Sequence, residues 1–259
     1  MMKKQRRVSI MMYIGCLLVL LIIACGDDVD DDNYDDPDLP IIEYTLFDRT
    51  LAEAVGKMPG EEITPDELAT VTHLRFPPPR DRWSSDGMGG TSIKLLAHCI
   101  NLRVLDLYGH EIYNFRPLAG LTRLERLNLS DTGISNLEPL AGLVNLQRLN
   151  LSRNQVNDLT PLIGMVQLKE LDLHDNQIRD IKPLANLTQI EKFYLHNNMI
   201  VDLKPLVDNP GLVNTNPVHL EGGFEWRADV VTVRDNPLSD VSRNVYIPAL
   251  QARGVNVRH

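Results

Sequence analysis

The chain has 259 residues, a formal net charge of −9 and 5% aromatic residues, so it is long enough for one or two domains. A charge this negative argues against nucleic-acid binding, because proteins of that class present a basic face to the phosphates. The three cysteines are Cys16, Cys25 and Cys99; the first two lie within or at the end of an apolar stretch, which leaves Cys99 without a partner for an intrachain disulfide.

Residues 1–24 have the layout of a secretory signal peptide, in which a basic start precedes an apolar run from Val8 to Ala24. The run ends in Leu-Ile-Ile-Ala before Cys25, and this ending resembles the lipobox of bacterial lipoproteins. The resemblance implies that Cys25 is lipidated and becomes the first residue of a mature, membrane-anchored chain. We therefore expect secretion through the cytoplasmic membrane and anchoring at the outer membrane or cell surface. An uncleaved membrane anchor and ordinary secretion are the alternatives.

Residues 25–40 are predicted to form an acidic tether, because eight aspartates crowd into positions 27–40. Like charges at this density repel one another and keep a segment extended and solvated. Calcium binding is the alternative for clustered carboxylates, but the segment lacks the glycine turn and terminal glutamate of an EF-hand loop.

Residues 41–70 are predicted to be a helical N-terminal cap. A first helix presents three apolar residues on one face and ends at Gly56; the three are Leu46, Leu51 and Val55. A second helix begins at Thr64, where Pro65 follows directly and Glu67 stands three residues on, which is the pattern of a capping box.

Residues 71–101 carry an irregular first copy of the repeat that follows. Its strand positions are Val71, Leu74 and Phe76, and its later apolar positions are Ile93, Leu96 and Cys99, so we expect Cys99 to be buried. A loop rich in proline and glycine interrupts this copy and contains Trp83 directly after Arg80 and Arg82. Trp83 either contacts a partner or belongs to a loop that folds back over the cap.

Residues 102–211 contain five tandem copies of one 22-residue unit. Each copy opens with three apolar residues in the pattern L-x-x-L-x-L and later carries a Pro-Leu pair. The prolines are Pro117, Pro139, Pro161, Pro183 and Pro205. A fixed period of this length predicts a stacked solenoid, because one unit cannot bury its apolar face without its neighbours.

Within one copy, the alternating L-x-L predicts a strand with one buried face, and successive copies would pair in parallel. Asn154, Asn176 and Asn198 follow the strand at one shared position, where a buried amide can bond the backbone as it turns. His110 and Thr132 stand at that position in the first two copies, so we expect a weaker asparagine ladder there. The proline predicts one helical turn on the outer side.

After Gly211 the register is lost over residues 212–227, which include Trp226. Trp226 either packs the end of the stack or binds a partner. Asn236 then restores the asparagine position once, and residues 239–253 are predicted to form a helix interrupted at Pro248. Gly254 suits the end of that helix, and two alternating valines predict a last short strand.

The repeats resemble the leucine-rich repeat family, in the 22-residue form of internalin-like bacterial proteins. The resemblance implies an α/β fold, a right-handed leucine-rich repeat solenoid with a parallel β-sheet on its concave face and a small helical N-terminal cap. It places the repeat domain at residues 71–238, with degenerate repeats at both ends, and a C-terminal cap at residues 239–259.

The exposed positions of the predicted strands define the concave face. This face is polar, mixed in sign and carries two tyrosines, which suits a reversible contact with a protein or, alternatively, a glycan. The predicted binding residues are Arg103, Asp106, Tyr108, Arg126, Asn128, Arg148, Asn150, Glu170, Asp172, His174, Lys192, Tyr194 and His196.

One group on this face could carry chemistry, namely Asp172, His174 and His196. The histidines should lie at one level on adjacent strands, where they could hold zinc or act as a base, but no further ligand is identifiable. We therefore expect an ordinary polar surface, with no cofactor, no metal and no catalysis. The preferred hypothesis is a lipid-anchored, surface-displayed binding protein; the alternatives are a structural envelope or spacer protein and, least favoured, an enzyme.

Overall fold

The computed structural model describes residues 8–14, 17–23, 46–77, 92–213, 217–220, 223–226 and 230–259. The chain divides into two units, residues 1–43 and 44–259. In the first unit, β1 (Val8–Ile14) pairs antiparallel with β2 (Leu17–Ile23). Nowhere in these ranges is a helix both long and apolar enough to cross a membrane. The predictions for Cys25, the acidic tether and Trp83 lie outside the described residues.

The second unit begins with two helices, α1 (Leu46–Ala54) and α2 (Pro65–Ala69). The predicted capping box is confirmed, because Thr64 Oγ1 accepts from the Glu67 N–H while a Glu67 carboxylate oxygen accepts from the Thr64 N–H at 2.8 Å. Gly56 follows α1 with a φ of 73°, a conformation that favours glycine. Phe47, which was not among the predicted core residues of the cap, is fully buried and stacks on Phe76 with ring centroids 4.9 Å apart.

Eight parallel strands form one sheet in chain order, interrupted only by a separate antiparallel hairpin of β9 (Pro217–Leu220) and β10 (Gly223–Trp226). Leu127 is the Cα partner of Leu149, and both are buried, so the predicted register is confirmed. The strands of the sheet are β3 (His73–Arg75), β4 (Val104–Asp106), β5 (Arg126–Asn128), β6 (Arg148–Asn150), β7 (Glu170–Asp172), β8 (Lys192–Tyr194), β11 (Val230–Thr232) and β12 (Asn256–Arg258).

After each of the strands β4 to β8, the chain returns through a short helical turn that carries the repeated proline in its first positions. Four are 3₁₀ turns (Arg116–Leu118, Glu138–Leu140, Thr160–Leu162 and Lys182–Asn186) and the fifth is α3 (Lys204–Asp208). An Asn or Asp side chain two residues ahead accepts from the first N–H of every turn, as Asp158 does from Thr160 at 2.8 Å. The same polar residue therefore starts each turn.

The apolar positions of all copies form one continuous core that extends from Phe47 in α1 to Val257 in β12. Leu149 in the central copy is 1% exposed, and Cys99 is fully buried, as predicted. Burial of one such leucine stabilises the fold by about 1.5–3 kcal/mol. Because the inward side chains of each coil pack against those of the next, no coil has a separate core.

The predicted asparagine ladder is confirmed and reaches one copy further, to Asn236. The Asn176 amide donates to the carbonyls of Leu151 and Leu173 at 2.9 and 3.0 Å, while its oxygen accepts from the Val156 N–H at 2.9 Å. Asn154, Asn198 and Asn236 make the same set of bonds.

The ladder changes at its N-terminal end, also as predicted. The Thr132 hydroxyl donates to the Leu129 carbonyl at 2.8 Å and lies 3.5 Å from Asn154 Oδ1. The Ile112 N–H of the preceding turn donates to the Thr132 backbone carbonyl at 3.3 Å and not to a side-chain amide. His110 is fully buried and donates from Nε2 to the Pro77 carbonyl at 3.0 Å. In the first copy, the imidazole of His110 therefore takes the place of the asparagine amide and joins this copy to the segment that follows β3.

Two features shape the C-terminal end. A Cβ placed on Gly211 would lie 2.0 Å from the Thr188 carbonyl oxygen, so only glycine fits there. The helix expected over residues 239–253 is a π-helical turn (Ser242–Tyr246) that continues directly into α4 (Ile247–Ala252). The chain stays helical through Pro248, and the expected interruption takes the form of a change from π to α hydrogen bonding directly before this residue. Pro248 lies in the first turn of α4, where its missing N–H is tolerated. Gly254 ends the helix with a φ of 83°.

Candidate functional site

The concave face consists of three rows of outward side chains on the sheet. Buried leucines alternate with these positions, so each row repeats once per strand. From β4 to β8 the first row is Val104, Arg126, Arg148, Glu170 and Lys192; the second is Asp106, Asn128, Asn150, Asp172 and Tyr194; the third is Tyr108, Ser130, Ser152, His174 and His196.

Twelve of the thirteen predicted binding residues lie in these rows, and Arg103 does not. Val104, rather than Arg103, is the Cα partner of Arg126. Arg103 precedes β4, and its guanidinium donates to the carboxylate of Glu125, the matching residue of the next copy, at 2.5 Å. The placement of Arg103 in a strand position is therefore wrong by one residue, because the first copy carries valine where the next two carry arginine.

Side-chain amides and hydroxyls form the floor of the middle strands. Asn128 Nδ2 donates to Asp106 at 2.9 Å, and Asn128 Oδ1 accepts from the Ser130 hydroxyl at 2.7 Å. Asn150 accepts from Ser152 in the same way at 2.8 Å, and both serines are buried. These bonds fix the rotamers of the floor, so a ligand would meet a preformed surface.

The charged residues divide the face into zones. Arg126 and Arg148 are exposed neighbours on β5 and β6. Glu170 on β7 lies between two cations, with its carboxylate 3.8 Å from Arg148 Nε and 3.7 Å from Lys192 Nζ. A shallow depression runs over this part of the sheet and is lined mainly by the first two rows, from Arg75 on β3 to Asp172 on β7.

The two histidines of the third row stack on each other. Their ring centroids are 4.5 Å apart with planes inclined by 7°, as the sequence predicts for adjacent strands. His174 Nδ1 donates to Asp172 at 2.6 Å, and His196 Nδ1 lies 3.0 Å from the Thr232 hydroxyl. Burial lowers the pKa of His196, and the neighbouring His174 lowers it further, so His196 is neutral at pH 7.

This histidine group does not assemble a metal centre. Among the described residues, no three His, Cys, Asp or Glu side chains are placed to hold one ion. One ring nitrogen of His174 is already occupied by Asp172. The stacked rings present a flat, half-buried polar surface within the concave face.

Tyr194 supplies an aromatic contact near the middle of the face. Burial, followed by the nearby Glu170 and Asp172 carboxylates, raises its pKa. The hydroxyl therefore remains protonated at neutral pH and can donate a hydrogen bond to a partner. Tyr108, 37% exposed at the other end of the third row, gives the face a second aromatic contact.

The concave face also includes residues at both of its ends that were not predicted, because the 22-residue spacing fails there. Arg75 extends the second row on β3, Thr232 and Arg258 extend it on β11 and β12, and Arg234 extends the third row. Exposed and buried residues alternate around Leu74 and Val257, and this alternation could have predicted that Arg75 and Arg258 lie on the concave face.

A left-handed residue after each of β4 to β8 and β11 was also not predicted. Gly109 in the first copy is followed, one copy at a time, by five non-glycine residues with φ between 54° and 57°: Asp131, Arg153, Asp175, Asn197 and Asp235. Asp and Asn tolerate this conformation better than other residues, so their recurrence was the available signal.

Comparison with known proteins agrees with this architecture. A family model described as leucine-rich repeats in two copies matches residues 122–164 and 166–208. The crystal structure of an internalin C2 from Listeria monocytogenes is 26% identical, covers 82% of this chain and 90% of its own, and superposes with a TM-score of 0.57. The fold is a leucine-rich repeat solenoid.

Two further solved structures share the fold of this solenoid. An internalin (inlF) from Listeria monocytogenes is 21% identical over 85% of each chain, with a TM-score of 0.50. A leucine-rich repeat protein from Leptospira interrogans is 21% identical over 64% of this chain and 39% of its own, with a TM-score of 0.53. A comparison with curated protein sequences finds no significant match. The fold predicted from the repeats is confirmed, and the lipoprotein signal remains a prediction.

Proposed function

We propose that this leucine-rich repeat solenoid is a lipid-anchored, surface-displayed binding module that holds a protein partner on its concave face and performs no catalysis. The supporting observation is the face itself, where two exposed arginines, the exposed Tyr108 and the half-buried Tyr194 stand on a sheet whose floor is fixed by hydrogen bonds between side chains. Tyr and Arg are the side chains that most often dominate protein interfaces. A rigid surface loses little conformational entropy when it binds.

The geometry offers less to an enzyme. His174 and His196 stack on each other instead of aiming at a common point, and Asp172 engages one ring nitrogen of His174. The depression on the face is shallow and open, whereas catalytic sites enclose their substrates and exclude water. The spacer hypothesis needs no particular side chains on the face, so it predicts that their replacement has no effect.

The experiment is a crosslinking pull-down from intact cells with a fourfold variant of the face: Tyr108→Ala, Arg126→Ala, Arg148→Ala and Tyr194→Ala. We expect capture of the partner to be lost while the circular-dichroism spectrum stays unchanged. A matched control carries four exposed changes off the sheet: Tyr113→Ala, Arg116→Ala, Arg179→Ala and Lys182→Ala. Unchanged capture by the concave-face variant would refute the binding function and favour the spacer.

Anchoring rests on Cys25 and is tested separately. In the lipoprotein pathway the thiol carries the lipid, so Cys25→Ser should release the protein from the membrane fraction and abolish the incorporation of labelled palmitate. Membrane association that survives Cys25→Ser would instead indicate an uncleaved anchor.

A further inference from the structure

The concave face is cationic although the chain as a whole is acidic, with a formal net charge of −9. Across β3 to β8, β11 and β12, the three rows contain six cationic and three acidic side chains. The cations are Arg75, Arg126, Arg148, Lys192, Arg234 and Arg258, and the acids are Asp106, Glu170 and Asp172. This concentration of positive charge on one face is a signal about the partner.

The strongest part of this surface is the pair Arg126 and Arg148. Their Cα atoms are in register on β5 and β6, so the side chains rise side by side about 4.8 Å apart at their base. Within the described part of the chain, Arg126 makes no ion pair. Arg148 meets Glu170 through Nε at 3.8 Å, and the Arg148 side chain is 58% exposed.

The floor beside this pair offers a further hydrogen-bond donor and little competing charge. Asn150 uses its oxygen to accept from Ser152, and its Nδ2 has no acceptor among the described side chains and backbone. Asp106 is the only carboxylate in the rows of β3 to β6, and it already accepts from Asn128 and from the Tyr108 N–H. An arriving carboxylate therefore meets free donors and one carboxylate that is already engaged.

We propose that the solenoid recognises its protein partner through a short acidic polypeptide segment whose carboxylates bind Arg126 and Arg148. The proposal rests on the binding function above and names the chemistry of the partner. A guanidinium fork matches a carboxylate with two parallel hydrogen bonds, which favours carboxylate over a neutral group.

The acidic residues at the β7 end of the depression favour a polypeptide segment over a uniform polyanion as the ligand. Glu170 and Asp172 stand on β7, next to Arg148, and they would repel a chain that is negative along its whole length. A polypeptide can place acidic residues over β3 to β6 and neutral or basic residues over β7. The length of the cationic zone, three strand gaps or about 14 Å, fits about four to five extended residues.

The test uses fluorescein-labelled pentaglutamate and the full chain, with binding measured by fluorescence anisotropy at low ionic strength. We expect wild type to bind pentaglutamate and not pentalysine, and the double variant Arg126→Gln/Arg148→Gln to bind at least about tenfold more weakly, because two charge-assisted contacts are lost. The control Arg116→Gln/Arg179→Gln removes the same charge from exposed positions off the sheet and should change affinity by less than about twofold.

A variant that should bind more tightly separates a specific loss of binding from a loss caused by misfolding. Glu170→Gln removes the repelling carboxylate and releases Arg148, so pentaglutamate should bind several-fold more tightly. Failure of wild type to bind pentaglutamate, an equal loss in the control variant, or an equally tight and equally arginine-dependent interaction with a heparin oligosaccharide would each overturn the proposal.

The same variants separate this proposal from the binding function itself. If Tyr108→Ala/Tyr194→Ala abolishes capture in the pull-down while Arg126→Gln/Arg148→Gln leaves it unchanged, the concave face still binds a partner and the acidic segment is wrong. If neither pair affects capture, the binding function has failed. Loss of capture with the arginine pair, together with pentaglutamate binding, supports both.

Discussion

Replacement of Asn176 by alanine tests how the coils are joined. The Leu151 and Leu173 carbonyls would each keep one amide donor, because Asn154 and Asn198 also bond to them. The Val156 N–H, by contrast, would lose its partner in a buried position. One orphaned buried donor costs about 1–3 kcal/mol, and two lost bonds of ordinary strength add about 0.5–1.5 kcal/mol each. Together these span about 2–6 kcal/mol, and because both carbonyls keep another donor we expect a loss in the lower half of that range, about 3 kcal/mol.

The matched control is Asn136→Ala, which removes an exposed asparagine that accepts from the Glu138 N–H at 2.9 Å. The loss of such a cap costs about 1 kcal/mol. In a domain of this size, 1 kcal/mol corresponds to about 2–4 °C in Tm, so Asn176→Ala should melt about 6–12 °C lower and Asn136→Ala about 3 °C lower. Thermal and urea unfolding followed by circular dichroism measure both. A shift for Asn176→Ala no larger than that of the control would refute the ladder as a stabilising element.

Three further predictions follow from buried or crowded positions and from one exposed carboxylate. Leu149→Asp places a charge in the shared core and should destabilise the fold by several kcal/mol in a circular-dichroism melt; an unchanged melt would contradict the register. Gly211→Ala should lower Tm strongly because its Cβ would collide with the Thr188 carbonyl, whereas Gly120→Ala, with open space around it, should be neutral. The Lys57 ammonium, followed by the Thr64 backbone, lowers the pKa of Glu67 to about 2. The stabilising effect of the Glu67 carboxylate is therefore complete above the ordinary pKa near 4.5 and is lost as the pH falls towards 2. Glu67→Gln should flatten the acid limb of a stability–pH curve, and an unchanged limb would contradict this assignment.

Most of the fold could be predicted because one 22-residue sequence pattern recurs five times. Five copies in register identify the strand, the inward leucines and the turn with its proline, and an error in any single copy is corrected by the others. The asparagine ladder was predictable for the same reason, and Asn236 could be placed by its spacing from Val231 and Val233 despite the irregular segment before it.

The errors and omissions occur where the pattern has few copies or where a local conformation decides. Arg103 was placed one residue out because Val104 breaks the charge pattern of its row. Arg75 and Arg258 lie in end repeats whose spacing differs from 22 residues, so periodicity alone could not include them. Ser130 and Ser152 look exposed by alternation and are buried because they donate to neighbouring asparagines.

The chemistry of the site was harder to predict than its position. The sequence places His174 beside His196, but only the structure shows that the rings stack and that Asp172 occupies one of their nitrogens. The charge zones likewise depend on which neighbours form pairs, because Glu170 partly engages Arg148 while Arg126 stands alone among the described ion pairs. Spacing gives the row of a residue, whereas packing decides its partners.

In the middle of the stack, successive asparagines donate to the same backbone carbonyl, so every junction between two coils has the same hydrogen bonds. A 22-residue insertion or deletion between Leu124 and Ile190 would rebuild the same seam, with one asparagine again bridging two coils. The width of the concave face can therefore grow or shrink only in whole steps of about 4.8 Å, one strand at a time. Recombination between copies would thus widen or narrow this face while leaving the caps at both ends of the stack unchanged.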